Sequence, residues 1–337
     1  MKRILALMLA MLMLCFALAA CSNKEEEEGG DTVDLTVTDS DSIFYTKNEH
    51  NDQFYYDYIN GDEVIINGYA GSHVPHAVTV PDVIDERPVT AIGNCAFMSK
   101  TNVTEIALPA TVNNIGVAAF AKCTNLAKIN IPEAMTSVGD SAFQETAIAE
   151  IKLPATLVTL GENVFADCAK LTKAELPAGK VLMLDASTDP ATEYTVNVIP
   201  KRLFFGCVSL TEVNWLTKAD RIDAHAFANC KVMTTVPTLS DTATSIGAYA
   251  FLNCAKITAM AIPATVSEIG ECAFYGCESL ASVAFANTTT AWTIKHEDSN
   301  KPMPEDAPAS ADAAVNADNL TGTYAAYKWT WKVTAED

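Results

Sequence analysis

One short string recurs along most of this chain at a nearly constant spacing. It is clearest at residues 112–132, which read V-N-N-I-G-V-A-A-F-A-K-C-T-N-L-A-K-I-N-I-P. Its aligned phenylalanines, named here the landmark phenylalanines, are Phe97, Phe120, Phe143, Phe165, Phe204, Phe227, Phe251 and Phe274. Successive landmarks are 23, 23, 22, 39, 23, 24 and 23 residues apart. A fixed period of this size predicts a solenoid in which each copy forms one coil.

Each copy contains a short stretch in which polar and apolar residues alternate. In the second copy, Ile129 and Ile131 alternate with Lys128 and Asn130, and Pro132 follows. Alternation with a period of two predicts a short strand with one buried face, and proline ends the strand because it has no N–H for the ladder. One coil cannot bury its apolar edge alone, so stacked neighbours must bury it jointly. The predicted fold is a β-rich repeat solenoid with about 23 residues per coil.

The most regular copies share the string I-G-x-x-A-F-x-x-C-x-x-(L/I), found at residues 115–126, 246–257 and 269–280. A glycine before the landmark, such as Gly139, is expected to permit a backbone turn that a side chain would hinder. The string resembles the BspA-type leucine-rich repeat of bacterial surface proteins, over about residues 54–294. The resemblance implies a leucine-rich repeat fold and an adhesin or surface binding role. Proteins of unknown role share this repeat, so it specifies fold far better than ligand.

The N-terminus predicts export and a lipid anchor. Lys2 and Arg3 precede an apolar run at residues 4–20, which ends in L-A-A before Cys21 and resembles a bacterial lipobox. We therefore expect residues 1–20 to be a lipoprotein signal peptide, with lipid on Cys21 holding the protein on the outer side of a bacterial membrane. The alternative is an ordinary signal peptide with a chance cysteine. No other apolar run is long enough to span a bilayer.

The segments between the anchor and the repeats predict a tether and a cap. Residues 21–41 are polar and acidic, with four glutamates before a Gly-Gly pair, which is typical of a solvated spacer. Residues 42–83 contain two β-rich runs around Asn60-Gly61, the preferred pair for a hairpin turn. This hairpin is expected to cap the N-terminal end of the solenoid. Its aromatic residues could instead form a binding surface; they are Phe54, Tyr55, Tyr56 and Tyr58.

The solenoid itself is expected at residues 84–294, with one interruption. The 39-residue step holds about sixteen extra residues, at about 179–194, which predict an inserted hairpin. Insertions in solenoids project from one face, often the face that binds. Residues 295–319 are rich in Pro, Ala, Asp and Ser and predict a linker or long loop. Residues 320–337 contain the alternating run Y-K-W-T-W-K-V, which predicts either a docked C-terminal cap strand or a tryptophan platform for sugar or peptide.

The ten cysteines do not form a disulfide pattern. Six of them stand three residues after a landmark phenylalanine, so they should form a column with one member per coil: Cys123, Cys168, Cys207, Cys230, Cys254 and Cys277. Leucine-rich repeats use Asn or Cys at such a ladder position, and a small buried thiol fits it. Lys100 and Thr146 take this position in the other two copies.

The sequence offers little support for catalysis or metal binding. His73 and His76 have a ligand-like spacing without a third ligand near them in the sequence, and a surface loop explains them better. No C-x-x-C, nucleophile elbow, zinc-protease, P-loop or dinucleotide motif occurs. We therefore expect a non-enzymatic protein without a metal or other cofactor.

One outward-facing position carries alternating charges. About eight residues after successive landmarks stand the members of what we name the charged column: Glu105, Lys128, Glu150, Lys173 and Glu212. Parallel strands lie about 4.8 Å apart, so opposite charges should become neighbours. The same position then holds Ala259 and Ser282. The column could support strand register, or its charged half could bind a partner together with Asp185, Asp189 and Tyr194 of the insertion.

The sequence as a whole favours a surface binding protein. A net charge of −20 argues against nucleic acid as a partner. We expect a lipid-anchored bacterial cell-surface protein that binds an extracellular protein or glycan, in an adhesion-like role. Two alternatives stay open, namely a solute- or glycan-binding lipoprotein and a purely structural component of the surface layer.

Overall fold

The computed structural model describes residues 49–50, 53–70, 74–177, 179–185, 192–286, 293–295, 313–323, 325 and 328–330. The elements are β1 Glu49–His50, β2 Phe54–Ile59, β3 Glu63–Tyr69, β4 Ala77–Thr79, β5 Val83–Ile84, β6 Arg87–Ile92, β7 Glu105–Ala107, β8 Asn114–Ile115, β9 Lys128–Ile129, β10 Ser137–Val138, β11 Glu150–Lys152, β12 Thr159–Leu160, β13 Lys173–Leu176, β14 Gly179–Asp185, β15 Thr192–Ile199, β16 Glu212–Trp215, β17 Arg221–Ile222, β18 Ser245–Ile246, β19 Ala259–Ile262, β20 Glu268–Ile269, β21 Ser282–Phe285, β22 Thr293–Lys295, α1 Ala313–Asp318, a π-helical turn Asn319–Thr323 and β23 Lys328–Thr330.

The repeats build a solenoid, as predicted, with two columns of short parallel strands. The first strand column consists of three separate sheets, ordered β4-β7-β9, β11-β13-β16 and β19-β21. The second strand column forms two sheets, one ending β6-β8-β10-β12 and the other containing β15-β17-β18-β20. Except after β17, whose copy has no strand in the first column, a loop with the landmark phenylalanine connects a strand of the second column to the next strand of the first.

The landmark phenylalanines form the centre of the core. All eight are completely buried. Neighbouring rings are stacked in an unbroken row from Phe97 to Phe274, with centroids 5.2 to 5.8 Å apart. Stacked aromatic rings at such distances attract each other in addition to the area they bury. The row also crosses the 39-residue step, because Phe165 stacks on Phe204 at 5.6 Å.

The glycine before the landmark is needed for a different reason from the one expected. Gly139 does not have a positive φ. A Cβ on Gly139 would lie 2.7 Å from the backbone nitrogen of Val117 and 2.8 Å from the carbonyl carbon of Gly116. The backbones of adjacent coils therefore approach too closely for any side chain at this position.

Positive φ angles occur instead at two other positions of each loop, mostly at residues other than glycine. The residues two before each landmark have φ between 51° and 59°: Cys95, Ala118, Ser141, Asn163, Arg202, His225, Tyr249 and Cys272. All eight residues two after a landmark are also left-handed, such as Lys122 with φ 60°. The N–H groups of Ala118, Phe120 and Lys122 all donate to carbonyls of the next coil. This bonding between coils compensates for an unfavourable backbone conformation.

The N-terminal hairpin lies at the edge of the second strand column. Strands β2 and β3 pair antiparallel, and β3 pairs in parallel with β6. Asn60 and Gly61 have φ angles of 53° and 81°, as a tight hairpin turn requires. Phe54 and Tyr56 are buried, so these two aromatic residues pack into the core. The phenol groups of Tyr56 and Tyr58 both donate to Asp85 Oδ2 at 2.7 Å.

A helix lies within the segment expected to be a linker or long loop. It is α1, in which Asn316 and Ala317 are buried, and Leu320 of the following π-helical turn is buried as well. Asn316 Nδ2 donates to the carbonyl of Val283 at 3.0 Å, so α1 packs on β21. The sequence did not predict this helix, because a six-residue helix depends on tertiary packing rather than on helix propensity. For residues 296–312, the linker or long loop stays a prediction.

The C-terminal strand docks on the end of the second strand column. Residues 328–330 form β23, which pairs antiparallel with β20 and with β22. The backbone arrangement is that of a cap strand. The other residues of the predicted strand, Tyr327 and Trp331 among them, lie outside the described residues.

The insertion is a hairpin in which β14 and β15 pair antiparallel over seven residue pairs. Only the C-terminal end of β15 belongs to the stack, through Val198 and Ile199 beside β17. Pro200 then stands where the preceding coil has Gly161, whose N–H donates to the carbonyl of Val138. Pro200 has no N–H to make the equivalent bond. Strand β14 contacts β12 without pairing with it, so the ladder of the second strand column is interrupted between β12 and β15, where the insertion lies.

Candidate functional site

The charged column lies on the exposed face of the first strand column. Its five residues are all exposed. Glu105 is the register partner of Lys128, and Lys173 is the register partner of both Glu150 and Glu212. The predicted alternation of charges is therefore present within two sheets. It is broken between Lys128 and Glu150, because β9 and β11 belong to different sheets.

Register partners in the charged column do not all form ion pairs. Lys128 Nζ lies 3.9 Å from Glu105 Oε2, and both side chains are largely exposed. Among the described residues, Lys173 makes no ion pair within 4.0 Å, although it lies between two glutamates. A shorter ion pair of 3.2 Å joins Lys152 and Glu175, one outward position further along the strands. Exposed pairs of this kind add between zero and about 1 kcal/mol to stability, so these charges remain available to a partner.

The first strand column is uncharged beyond β16. Ala259, Ala261 and Ala284 are exposed on β19 and β21. In the intervening copy, Pro237 stands ten residues after its landmark, whereas Pro132 and Pro263 stand twelve after theirs. The early proline prevents a strand from forming, because it removes an N–H in the middle of the segment. The ladder between β16 and β19 is consequently missing.

A cavity of about 690 Å³ lies where this strand is missing. Its walls are mostly apolar and include Val236, Pro237, Ala261, Ile262, Ala284 and Phe285. The two halves of the first strand column thus differ chemically, as their sequence predicts. One half has charged side chains on regularly paired strands, and the other has small apolar side chains beside the cavity.

Along the chain, the insertion lies between the last two members of the charged column, Lys173 and Glu212. Strand β13, which carries Lys173, ends at Leu176, and β14 begins at Gly179. Yet β14 and β15 belong to the sheet of the second strand column. Asp185 ends β14 opposite Thr192, and Tyr194 lies opposite Met183. Asp189 and Cys21 lie outside the described residues.

A row of planar side chains was not identified from the sequence. Arg202 lies over the ring of Phe205 at 3.9 Å, and Phe205 lies 6.2 Å from His225, which stacks on Tyr249 at 4.8 Å. Tyr249 donates a hydrogen bond of 2.7 Å to Glu271. Three of these residues occupy the left-handed position two before a landmark, which was the signal that could have revealed them.

The electrostatics of this row keep its histidine neutral. Burial lowers the pKa of His225, and the nearby charges of Arg202 and Lys201 lower it further. Its Nδ1 atom is buried and has no hydrogen-bond partner among the described residues. A proton on His225 would therefore be disfavoured, and the ring acts as an aromatic packing element between coils.

The six cysteines of the predicted column are buried and free. Each thiol donates to the carbonyl of the landmark phenylalanine in the preceding coil, at 2.9 to 3.1 Å, as Cys123 does to Phe97. Burial raises the pKa of Cys123 and of Cys168 to about 11. Such thiols are inert hydrogen-bond donors rather than nucleophiles. Cys95 lies outside this column, two residues before Phe97.

The remaining candidates give no sign of a catalytic or metal site. Within the described residues, no cluster of three or more His, Cys, Asp or Glu side chains could hold a metal ion. The ring Nδ1 of His76 lies 2.8 Å from the carbonyl oxygen of Asn102, and His73 is outside the described residues. Among the residues that the structure describes, none of the helices has the length and apolar character of a membrane span.

Comparison with solved structures found other bacterial leucine-rich repeat proteins. A leucine-rich repeat protein of Treponema pallidum is 22% identical, with 69% of this chain and 91% of that chain covered and a TM-score of 0.49. One from Bacteroides ovatus is 20% identical, with 72% of each chain covered and a TM-score of 0.48. A leucine rich cell surface protein of Faecalibacterium prausnitzii is 17% identical, with 72% and 95% covered and a TM-score of 0.26. No curated protein matches the chain.

The comparison with protein families agrees with the repeat seen in the sequence and in the coils. The model of the BspA type leucine rich repeat region matches residues 90–186 and 197–296, with six copies. These residues make up more than half of the chain, and they include all eight landmark phenylalanines. The chain belongs to the BspA-type leucine-rich repeat family.

Proposed function

We propose that this protein is a non-enzymatic binding protein of the bacterial cell surface, anchored by lipid on Cys21, which binds an extracellular protein in an adhesion-like role. The binding face is the charged column, bordered by the insertion. Asp185, Asp189 and Tyr194 would contribute from the insertion. The protein family supports a surface binding scaffold, and the choice of face rests on the geometry of the column.

The observation that carries this proposal is that Lys173 has a fixed backbone position and a charge that is not neutralised by a neighbouring carboxylate. Its strand is paired on both sides, so the residue is held at a defined place on a regular surface. Its charge is not neutralised by an ion pair within 4.0 Å among the described residues. Glu150 and Glu212 flank it at strand spacing, about 4.8 Å on either side. A partner with the complementary order of charges would meet this pattern without any rearrangement of the backbone.

The test is a binding screen followed by one charge reversal. The full chain is displayed on bacteria, and binding of host matrix proteins and of glycans is measured. Lys173→Glu would place a third carboxylate between Glu150 and Glu212, and we expect it to weaken binding about tenfold or more, because like charges would face the partner. Lys231→Glu is the matched control, since Lys231 is exposed on a loop away from the column.

Each result of this screen has a clear meaning. Loss of binding in Lys173→Glu with normal binding in Lys231→Glu supports the charged column. Equal binding by both variants would move the site elsewhere, and binding confined to glycans would favour the glycan-binding alternative. A chain that binds nothing in the screen would favour a structural role in the surface layer.

A separate test asks whether the insertion borders the binding face. Tyr194→Ala and Asp189→Asn each remove a group that the proposal places beside the ligand, so each should weaken binding by a few fold without changing the thermal melt. Tyr194 lies in the part of β15 that pairs with β14, before the residues that pair with β17. If both variants bind like the parent, the insertion does not border the site, and the charged column alone would remain as the proposed face.

The lipid anchor is tested separately. Cys21→Ser should prevent lipid attachment, so the protein should be released from membranes or retained with an uncleaved signal peptide. Incorporation of a fatty-acid analogue into the parent and its loss in Cys21→Ser is the expected result. An unlabelled parent that is cleaved at another position would show that the segment is an ordinary signal peptide.

A further inference from the structure

A small notch interrupts the exposed face of the first strand column between β9 and β11, which do not pair. Glu150 stands seven residues after Phe143, whereas Lys128 stands eight after Phe120. The ladder breaks at this shorter copy and leaves a notch of about 160 Å³. Its lining includes Ile129, Ile131, Glu133, Glu150 and Lys152.

The floor of the notch is apolar and partly open to solvent. Ile129 and Ile131 are both half-buried and pack against the core. The register partner of Ile129 on β7, Ile106, is only 1% exposed, and Ile151 on β11 is 5% exposed. Covering apolar surface releases about 25 cal/mol per Å². The floor therefore favours a ligand group that is itself apolar.

The lysines on the two sides of the notch have their partners outside it. Lys128 Nζ lies 3.9 Å from Glu105 Oε2, in the preceding coil. Lys152 Nζ lies 3.2 Å from Glu175 Oε1, in the following coil. Each lysine is thus paired with a strand on the far side of its own strand, and neither forms an ion pair across the break.

Two carboxylates at the notch are consequently left without a cation. Glu133 and Glu150 are exposed, and among the described residues no basic side chain lies within 4.0 Å of either. The net charge of −20 adds to the negative potential around them. The notch therefore combines an apolar floor with an uncompensated negative charge at its rim.

We propose that the notch binds a basic side chain, lysine or arginine, of the protein partner. Its aliphatic stem would lie on Ile129 and Ile131, and its charged head would meet Glu133 and Glu150. Lysine and arginine have such a stem and head in one side chain. An inorganic cation would leave the floor uncovered, and an apolar side chain would leave both carboxylates unpaired. A side chain seated in a pocket with a polar rim is the usual form of an interface anchor.

This site lies on the face of the proposed function, and it rests on that proposal only in assigning the side chain to a protein partner. Glu150 is common to the notch and the charged column, whereas Glu133, Ile129 and Ile131 belong to the notch alone. A partner on this face would carry a basic residue for the notch and an acidic residue for Lys173. Variants of Glu133 and of Lys173 therefore test the two proposals separately.

The probes are Nα-acetyl-lysine methylamide and its arginine analogue, titrated into the full chain in a nonionic detergent. The methyl signals of Ile129 and Ile131, assigned with Ile129→Val and Ile131→Val, are followed by NMR and should shift with at least one probe. A single side chain makes few contacts, so we expect a dissociation constant of about 1 mM. Nα-acetyl-norleucine methylamide has the stem without the charge, and methylammonium has the charge without the stem. Each should bind about fivefold more weakly or worse.

The variant that tests the rim is Glu133→Gln, which removes one negative charge with little change in shape. It should raise the dissociation constant of the probe about threefold or more. Glu278→Gln is the matched control for net charge, because Glu278 is an exposed residue on the loop of the last coil. This control should bind the probe like the parent.

The results separate the notch from general attraction of cations to an acidic chain. Equal binding of methylammonium and the probes, equal binding by Glu133→Gln and the parent, or unmoved methyl signals would each overturn the proposal. If the probe binds in the notch while Lys173→Glu keeps its ligand in the screen, the charged column fails and the notch remains. If Lys173→Glu loses its ligand and the probe does not bind, only the notch fails.

Discussion

The two halves of the first strand column differ although they are built from the same repeat. From β7 to β16 the exposed residues alternate in charge, and β13 is paired with a strand on each side. From β19 to β21 the exposed residues are mainly alanines, and β19 is paired on one side only. The phenylalanine row runs through both halves without a break. The core is therefore uniform, and the differences are confined to the surface ladder.

The difference teaches how exact the period must be. The landmark spacing is 22 residues from Phe143 and 24 from Phe227, and 23 for most other steps. The two interruptions of the first strand column lie at these copies, between β9 and β11 and between β16 and β19. The second strand column stays paired across the same two coils, since Ser137 pairs with Thr159 and Arg221 pairs with Ser245. The missing or extra residue is therefore accommodated in the first strand column, whose ladder breaks, while the stacked rings and the second ladder continue.

The largest expected effect is on stability, and it concerns the phenylalanine row that runs through both halves. Phe120→Ala and Phe251→Ala should each lower the free energy of unfolding by about 3–5 kcal/mol, because each removes a fully buried ring from the row. Denaturant titration measures the loss, and Lys128→Ala is the exposed control. If Phe251→Ala cost much less than Phe120→Ala, the core of the second half would be looser than the structure indicates.

The rate of amide hydrogen exchange should differ between the two halves of the first strand column. Amides at residues 257–263 should exchange about tenfold faster or more than those at residues 171–177, because β19 lacks a partner on one side and local opening is easier there. Mass spectrometry after proteolysis gives both rates from one sample. Equal protection of the two segments would mean that the missing ladder is replaced by other bonds in solution.

The buried thiols should make both halves sensitive to alkali. Burial raises the pKa of Cys168 to about 11 and that of Cys277 to about 12, from an ordinary value near 9. A raised pKa in the fold contributes stability that is complete below pH 9 and is lost as the pH rises towards 11 or 12, since the unfolded chain ionises first.

Replacement of one thiol measures that contribution. Between pH 8 and pH 10, Cys168→Ala and Cys277→Ala should each lose about 1 kcal/mol less stability than the parent does. Stability is measured by denaturant titration at both pH values, and Val103→Ala serves as a buried control that does not titrate. An identical loss in the parent and both variants would show that these thiols already ionise as easily in the fold as in the unfolded chain.

The smallest expected effect belongs to the surface charges. Lys152→Ala removes the 3.2 Å ion pair with Glu175 and should cost less than about 1 kcal/mol, because both groups reach solvent. Lys256→Ala, at an exposed position in the uncharged half, is the comparison. A cost well above 1 kcal/mol for Lys152→Ala would show that the charges maintain register and would weaken the case for a binding face.

Much of the fold and part of the candidate site could be predicted from particular residues. The spacing of the phenylalanines predicts the coils, and the thiols three residues later predict a buried column. The alternation of Lys128 and Asn130 with Ile129 and Ile131 predicts a strand with one exposed face. These signals are local and repeated, so each copy confirms the others. Helix α1 gave no comparable signal, because its position depends on packing against β21, which is distant in the chain.

By itself, the sequence determined the repeat, the buried face of each coil and the order of charges along the exposed column, because these depend on residue type and period alone. Tertiary structure decided where the ladders break, which backbone positions become left-handed and how the insertion joins the second strand column through Val198 and Ile199. The physical reason is that these features arise between coils. A residue such as His225 or Gly139 takes its conformation from the backbone of the coil stacked against it, and the spacing within one copy does not contain that information.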